Sequence, residues 1–157
     1  MPSARPRSHA MYQRILVATD GSSLSKKAVS SAIDLAALSQ AELVAMKVVP
    51  RYPMSYFEGG LALSAKEVQQ VEKQWADEAQ AVVDKVRDAA ARRDVQAKAV
   101  VVRAELVAEA IIATAKKQRC DLIVMSSHGR RGLKRVLLGS ETQHVLTHSS
   151  VPVLVLR

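Results

Sequence analysis

Apolar positions along the chain follow two alternating periods, and the alternation itself predicts the elements. Arg14-Ile-Leu-Val-Ala-Thr-Asp20 is an uninterrupted apolar run that ends in a polar turn. Such a run predicts a parallel strand covered on both faces. Gly21-Ser22-Ser23 supplies a turn and a helix cap, and Ala28, Ala32, Leu35, Ala36 and Leu38 carry helical spacing over about 24–39. Glu42 to Val49 reads as a second strand, ended by Pro50. Arg51 to Ala62 reads as loop, punctuated by Pro53 and Gly59-Gly60. Val68, Val71, Trp75, Ala79, Val82, Val86 and Ala90 then form one helical face over about 64–93. A helix of that length spans roughly 45 Å, so part of it must overhang a sheet or kink. The stripe containing Trp75 predicts core packing.

The second half repeats the pattern. Val95 to Arg103 predicts a third strand, and Leu106 to Lys117 a helix with Ile111, Ile112 and Ala115 inward. No Ser, Thr, Asp or Asn stands at that helix's start to cap it. Residues 121–126 predict a fourth strand, 141–148 a short helix, and Val151 to Leu156 a fifth strand. Pro152 has no N–H for a ladder, which places the fifth strand at an edge. Five strands alternating with helices predict an α/β fold: a doubly wound five-stranded parallel sheet with helices on both faces. Ligands bind such sheets beyond the carboxyl ends of the strands, where the strand order reverses. The first and fourth strands both end in polar, functional-looking residues, which predicts the order 3-2-1-4-5.

Composition narrows the class. The 157 residues are 48% hydrophobic, suited to one domain over 12–157 behind a disordered tail at 1–11. No apolar run approaches the roughly 18 residues of a membrane span, and the first ten residues lack a signal-peptide core. The single cysteine, Cys120, excludes an intrachain disulfide and fits a cytoplasmic setting, where it reads as a small buried filler. Of the net charge of +8, two units come from Arg5 and Arg7 and four from Arg130, Arg131, Lys134 and Arg135. A concentrated positive field draws phosphates or polyanions. Aromatic residues make up only 3%, which disfavours a base-stacking surface, and nucleic acid is the weaker expectation.

The chemistry concentrates in residues 126–140. A strand, a basic glycine-containing loop and a helix start with unpaired N–H groups make a phosphate cradle, although a solvated basic surface loop has the same composition. Ser140 and Gln143 fit a capping box, and Gly139 allows close approach of backbone to a phosphate or a dihedral closed to other residues. No Gly-x4-Gly-Lys-Ser/Thr loop and no Gly-x-Gly-x-x-Gly fingerprint is present. Asp20 is the one obvious acid at a strand end. His144 and His148, four apart, lack further ligands to complete a metal site.

Ser126-x2-Gly129-x9-Gly139-Ser140 matches, at every spacing, the Gly-x2-Gly-x9-Gly-Ser/Thr signature that follows the fourth strand of the universal stress protein family's nucleotide-binding branch. Ile15-Leu-Val-Ala-Thr-Asp-Gly-Ser22 resembles that family's first strand and turn, Asp121-Leu-Ile-Val-Met125 its fourth strand, and Ser150-Val-Pro-Val-Leu-Val155 its fifth. The resemblance covers about residues 12–157. It implies an adenine-nucleotide (ATP or AMP) binding regulatory domain acting in stress response, a homodimer joined through strand 151–156. The phosphates would meet Gly129, Gly139 and Ser140, with His128, Arg130, Glu141 and Thr142 alongside. Asp20 would lie near the ribose and phosphates and the strand-two backbone around Val48 at the adenine edge, with Ala18, Thr19, Met125 and Ser126 also against the nucleotide. In this resemblance Asp20 also faces a nucleotide-bound divalent cation, Mg²⁺ or Mn²⁺. Ser126 departs from the signature's first glycine: its Cβ either crowds the ligand or, at negative φ, is harmless and leaves a hydroxyl to donate. The rival readings are a nucleotide-free module that meets an acidic regulatory protein, and a slow ATPase with Asp20 as its only base-like group.

Overall fold

The middle strands of the sheet form on apolar runs because both of their faces are covered. The computed structural model describes residues 10–53, 63–128 and 138–157. The elements run β1 (Arg14–Ala18), α1 (Ser23–Ser39), β2 (Glu42–Val49), α2 (Ala65–Ala91), β3 (Ala97–Arg103), α3 (Val107–Lys117), β4 (Leu122–Ser126), α4 (Ser140–His148) and β5 (Val153–Leu156). The strands make one parallel sheet in the order β3-β2-β1-β4-β5, as predicted. Pro152 immediately precedes β5, an edge strand, and its carbonyl accepts the Ile123 N–H at 3.0 Å.

Period-two alternation sorts the strand side chains into two cores. Ile15, Val17, Leu43, Ala45 and Val124 pack under α1 and α2 with Ala28, Ala32, Val83 and Ala90. Leu16, Val44, Met46, Ile123 and Met125 pack under α3 and α4 with Ile111, Ala115, Cys120 and Val145. Each fully buried aliphatic side chain contributes about 1.5–3 kcal/mol, so the central strands carry most of the stability.

The helices begin and end for identifiable reasons. Ser22 caps α1 by accepting the Ser25 N–H at 3.3 Å. Ser64 and Glu67 form a complete capping box at the start of α2. At their other ends α1, α2 and α3 share one device. Ala41, Val95 and Cys120 each donate a backbone N–H five residues back, to Ala36, Ala90 and Ala115. The residue just before each of them, Gln40, Asp94 or Arg119, has a φ near +56° (55°, 56° and 56°). This is the left-handed helix stop usually made by glycine.

The structure corrects several sequence expectations. In α2 the buried positions are Ala79, Val83, Val86 and Ala90, so Val83 replaces Val82 at the centre of the stripe. The helix's N-terminal half buries no residue and overhangs the sheet. Trp75 is therefore half-buried, stacked on Tyr52 with ring centroids 6.1 Å apart, and is not part of either core. Ile112 is half-buried while Ile111 is enclosed. Among the described residues no helix is long and apolar enough to cross a membrane.

Candidate functional site

The site begins where two neighbouring strands part. β1 and β4 stay paired as far as Val17 and Val124. Beyond that point the Thr19 N–H turns to the Met46 carbonyl of β2 at 3.0 Å, while the Ser127 N–H turns to the Leu156 carbonyl of β5 at 2.7 Å. The divergence opens a crevice at the carboxyl ends of the strands, the position where a doubly wound sheet accepts a ligand.

On the β1 side the turn is held from within. Thr19 and Ser25 share a buried hydroxyl–hydroxyl bond of 2.9 Å, and the Gly21 N–H donates to Thr19 Oγ1 at 3.1 Å. Asp20 Oδ1 accepts the Ser22 N–H at 2.8 Å, which sets Ser22 as the cap of α1. Lys47 Nζ donates to the Asp20 carbonyl at 2.8 Å. Ala18 and Val48 are half-buried against the α3/α4 core, and the Met125 side chain lies within it.

On the β4 side α4 is seated on the strand end. The Gly139 N–H donates to the Ser127 carbonyl at 2.9 Å, and Thr142 Oγ1 reaches the Ser126 and Ser127 carbonyls at 3.1 and 3.2 Å. Ser126 Oγ donates to the His128 carbonyl at 2.8 Å, and Ser127 Oγ lies 3.0 Å from His128 Nδ1. His128 Nε2 is buried with no hydrogen-bond partner among the described residues. Among the described residues no side chain caps the first turn of α4, and leading N–H groups of a helix can meet an external acceptor.

Three sequence expectations change here. Gly139, not Ser140, holds the cap position of α4, and the Gln143 N–H bonds to the Gly139 carbonyl, so the expected Ser140–Gln143 box is absent. Gly139 has an ordinary φ of −60°; its lack of a Cβ serves close packing, since a Cβ there would stand 3.2 Å from the Ser127 carbonyl oxygen. The Glu141 carboxylate points away to α3 and accepts the Ala108 N–H at 2.7 Å. Ser140 is exposed at the first position of α4. Gly129 and Arg130 lie outside the described residues.

Sequence reasoning missed Lys47 and Ser127. Lys47 had a signal: it is the one cation inside the apolar run Leu43–Val49, and a charge there needs a polar end to reach. Ser127 had none, because its work is done by its backbone carbonyl. His144 and His148 stack with centroids 4.1 Å apart, and among the described residues no group of three His, Cys, Asp or Glu side chains is arranged to hold a metal. A separate cavity of about 380 Å³ lies between α2 and the ends of β2 and β3, lined by Val49, Ala76, Asp77, Gln80, Val101 and Arg103. None of the site residues lines it, and we place the site by the strand divergence instead.

The fold defines a doubly wound α/β domain whose topological switch point lies between β1 and β4. The chain belongs to the universal stress protein family, whose sequence pattern matches residues 11–157. It is 33% identical over 151 residues to the universal stress protein MJ0531 of Methanocaldococcus jannaschii, covering 94% of this chain and 83% of that one. Among solved structures, the universal stress protein UspA of Lactobacillus plantarum superposes with a TM-score of 0.79 at 26% identity, covering 93% of this chain and 98% of that one. A universal stress protein solved in complex with cAMP gives a TM-score of 0.66 at 25% identity, covering 93% and 97%.

Proposed function

We propose that this chain is an adenine-nucleotide-binding regulatory domain that takes ATP or AMP in the crevice between β1 and β4. The observation that carries the reading is the parting of the two strands directly beside an uncapped helix start. Unpaired N–H groups and the helix dipole favour an anion there by about 0.3–1 kcal/mol when exposed and about 2 when partly buried. His128 adds a buried nitrogen on the same strand end that a ligand can satisfy. A family relative carries cAMP in its solved structure, which supports the adenine assignment. The ribose falls to Thr19 and Asp20, the adenine edge to the β2 backbone near Val48, and the phosphates to the Gly139–Ser140 end of α4. Pairing of two copies through the apolar edge strand β5, where Leu154 stands exposed, is the natural cover for that edge.

The test is the nucleotide content of freshly purified protein, followed by calorimetry with AMP and ATP. Micromolar affinity, about −8 kcal/mol, is expected. No heat and no shift in Tm at saturating nucleotide would overturn the reading in favour of a nucleotide-free interaction module. Sedimentation as a monomer at micromolar concentration would remove the homodimer.

A further inference from the structure

We propose that α4 carries a transition-metal site of its own, in which the imidazoles of His144 and His148 chelate one late divalent ion of the Zn²⁺, Ni²⁺ or Cu²⁺ class. The inference is independent of the nucleotide reading. The two residues stand four apart, and that spacing puts their side chains on one face of a helix, one turn above the other. Their rings lie nearly face to face, with centroids 4.1 Å apart and planes inclined by 21°. Two metal–nitrogen bonds of about 2.0–2.1 Å at a tetrahedral angle hold their nitrogens about 3.4 Å apart. The ring separation is close to that span, and a turn of the rings brings two lone pairs onto one ion. His148 is exposed and His144 half-buried, so the pair borders solvent.

The hydrogen bonding of His148 suits a metal ligand. Its Nδ1 lies 3.0 Å from the His144 carbonyl oxygen. A carbonyl only accepts, so Nδ1 carries the proton and, in the neutral ring, Nε2 carries the lone pair. A backbone carbonyl fixes the tautomer and orientation of metal-ligating histidines in the same way. His148 is also the last residue of α4, where the helix dipole favours positive charge. Nitrogen donors select the ion, since imidazole suits zinc, copper and nickel whereas Mg²⁺ asks for oxygen. Among the described residues no third His, Cys, Asp or Glu side chain joins the pair. The chain thus supplies two positions and water holds the others, which makes an open, exchangeable site and not a closed structural one. The chelate lies at the far end of α4 from Gly139, roughly 13 Å along the helix axis, and is separate from the crevice.

The test is calorimetry of the full chain, nucleotide-free and without a polyhistidine tag, titrated with ZnCl₂ in a non-coordinating buffer. One Zn²⁺ per chain is expected, with heat that excess Mg²⁺ leaves in place. His144→Gln and His148→Gln should each weaken Zn²⁺ by about tenfold or more, because each removes one arm of the chelate. Absence of heat in the wild-type chain overturns the inference. So does Zn²⁺ affinity that survives in the double variant, which would place the ion on His9, His128 or the Asp20 turn. Should a variant fail to fold, Cu²⁺ added below one equivalent to the wild-type chain still decides. Broadening of amide resonances centred on Thr147 and His148 is the expected result, and broadening centred on any other segment refutes the proposal.

Discussion

The Glu141 carboxylate, in the first turn of α4, accepts the backbone N–H of Ala108 in the first turn of α3 at 2.7 Å. Leu106 stands at the cap position of α3 and has no side-chain oxygen to offer, so the helix is capped from its neighbour. One carboxylate therefore lies at the positive ends of two helices at once. It fixes the start of α4 relative to α3, and with it the N–H groups that face the crevice. On the proposed ligand site Glu141 acts by position.

Glu141→Ala removes the side-chain acceptor at the start of α3 and should destabilise the protein by about 1 kcal/mol, the usual worth of a helix cap. In a domain of this size that is a fall in Tm of about 2–4 °C. Glu141→Gln keeps an acceptor oxygen and should lose less than half as much. Equal losses in the two variants, measured by urea titration, would show that the hydrogen bond does not carry the effect.

Gly139 tests how tightly α4 is seated. A Cβ at this position meets the Ser127 carbonyl oxygen at 3.2 Å, a contact that a shift of a few tenths of an ångström relieves. Gly139→Ala should fold with a loss of under about 1 kcal/mol, whereas Gly139→Val adds two methyl groups against the same backbone and should lose about 1–3 kcal/mol. Both should weaken AMP more than they weaken folding, because the displaced groups are the α4 N–H donors. Unchanged AMP affinity in a folded Gly139→Val protein would remove α4 from the ligand site.

Ser126 stands where the family signature has glycine, yet it requires no glycine conformation. The described non-glycine residues with positive φ are Gln40, Asp94 and Arg119, and Ser126 is not one of them. Its hydroxyl is bonded to the His128 carbonyl at 2.8 Å and so shapes the chain entering the loop. Restoring glycine should therefore leave AMP affinity within about threefold while lowering stability by about 1 kcal/mol, from the lost hydrogen bond and the freer unfolded chain. A gain of tenfold or more in affinity for Ser126→Gly would show instead that the serine side chain obstructs the ligand.

The sheet was legible because its signal is redundant. Every strand is an apolar run of four residues or more, and the polar ends of β1 and β4 point to the same switch point. What the sequence concealed was work done by backbone atoms or by distant partners. Trp75 lies on a helical stripe that satisfies the period of a core residue, but the stripe runs past the end of the sheet, and periodicity does not report where a sheet stops. Glu141 sits at the start of a helix as a phosphate-site residue would, and its partner Ala108 is 33 positions away. The Ser140–Gln143 pair has capping-box spacing, but the Gly139–Ser127 backbone bond fixes the helix start one residue earlier.

Cys120 supplies a pH signature. Burial at the start of β4 pushes its thiol from 9.0 up to about 11, opposed by the nearby charges of Arg14 and Lys98. A raised thiol pKa means that the folded state keeps its proton where the unfolded state has lost it. The contribution to stability is thus complete below pH 9.0 and is lost as pH rises from there to about 11. Cys120→Ala should flatten the stability profile in that window and leave it unchanged below. Iodoacetamide should modify wild-type protein much faster in denaturant than in its native state at equal pH.

The three helix stops offer a gain in stability without touching the site. Gln40, Asp94 and Arg119 hold φ values of 55°, 56° and 56°, where a Cβ crowds the following carbonyl at roughly 1–2 kcal/mol. All three are exposed. Glycine adopts this conformation without that penalty but has more unfolded freedom to lose, which returns part of the gain. Gln40→Gly and Arg119→Gly should each stabilise by about 0.5–1 kcal/mol and raise Tm by a few degrees. Asp94→Gly should gain less, because aspartate tolerates the left-handed region better than most residues. The positions lie at separate helix ends, so the triple variant should approach the sum of the single changes. Nucleotide affinity should not move, since these stops lie at the amino-terminal ends of the strands, opposite the crevice. A triple variant no more stable than wild type by urea titration would mean that the helix stops carry no left-handed strain.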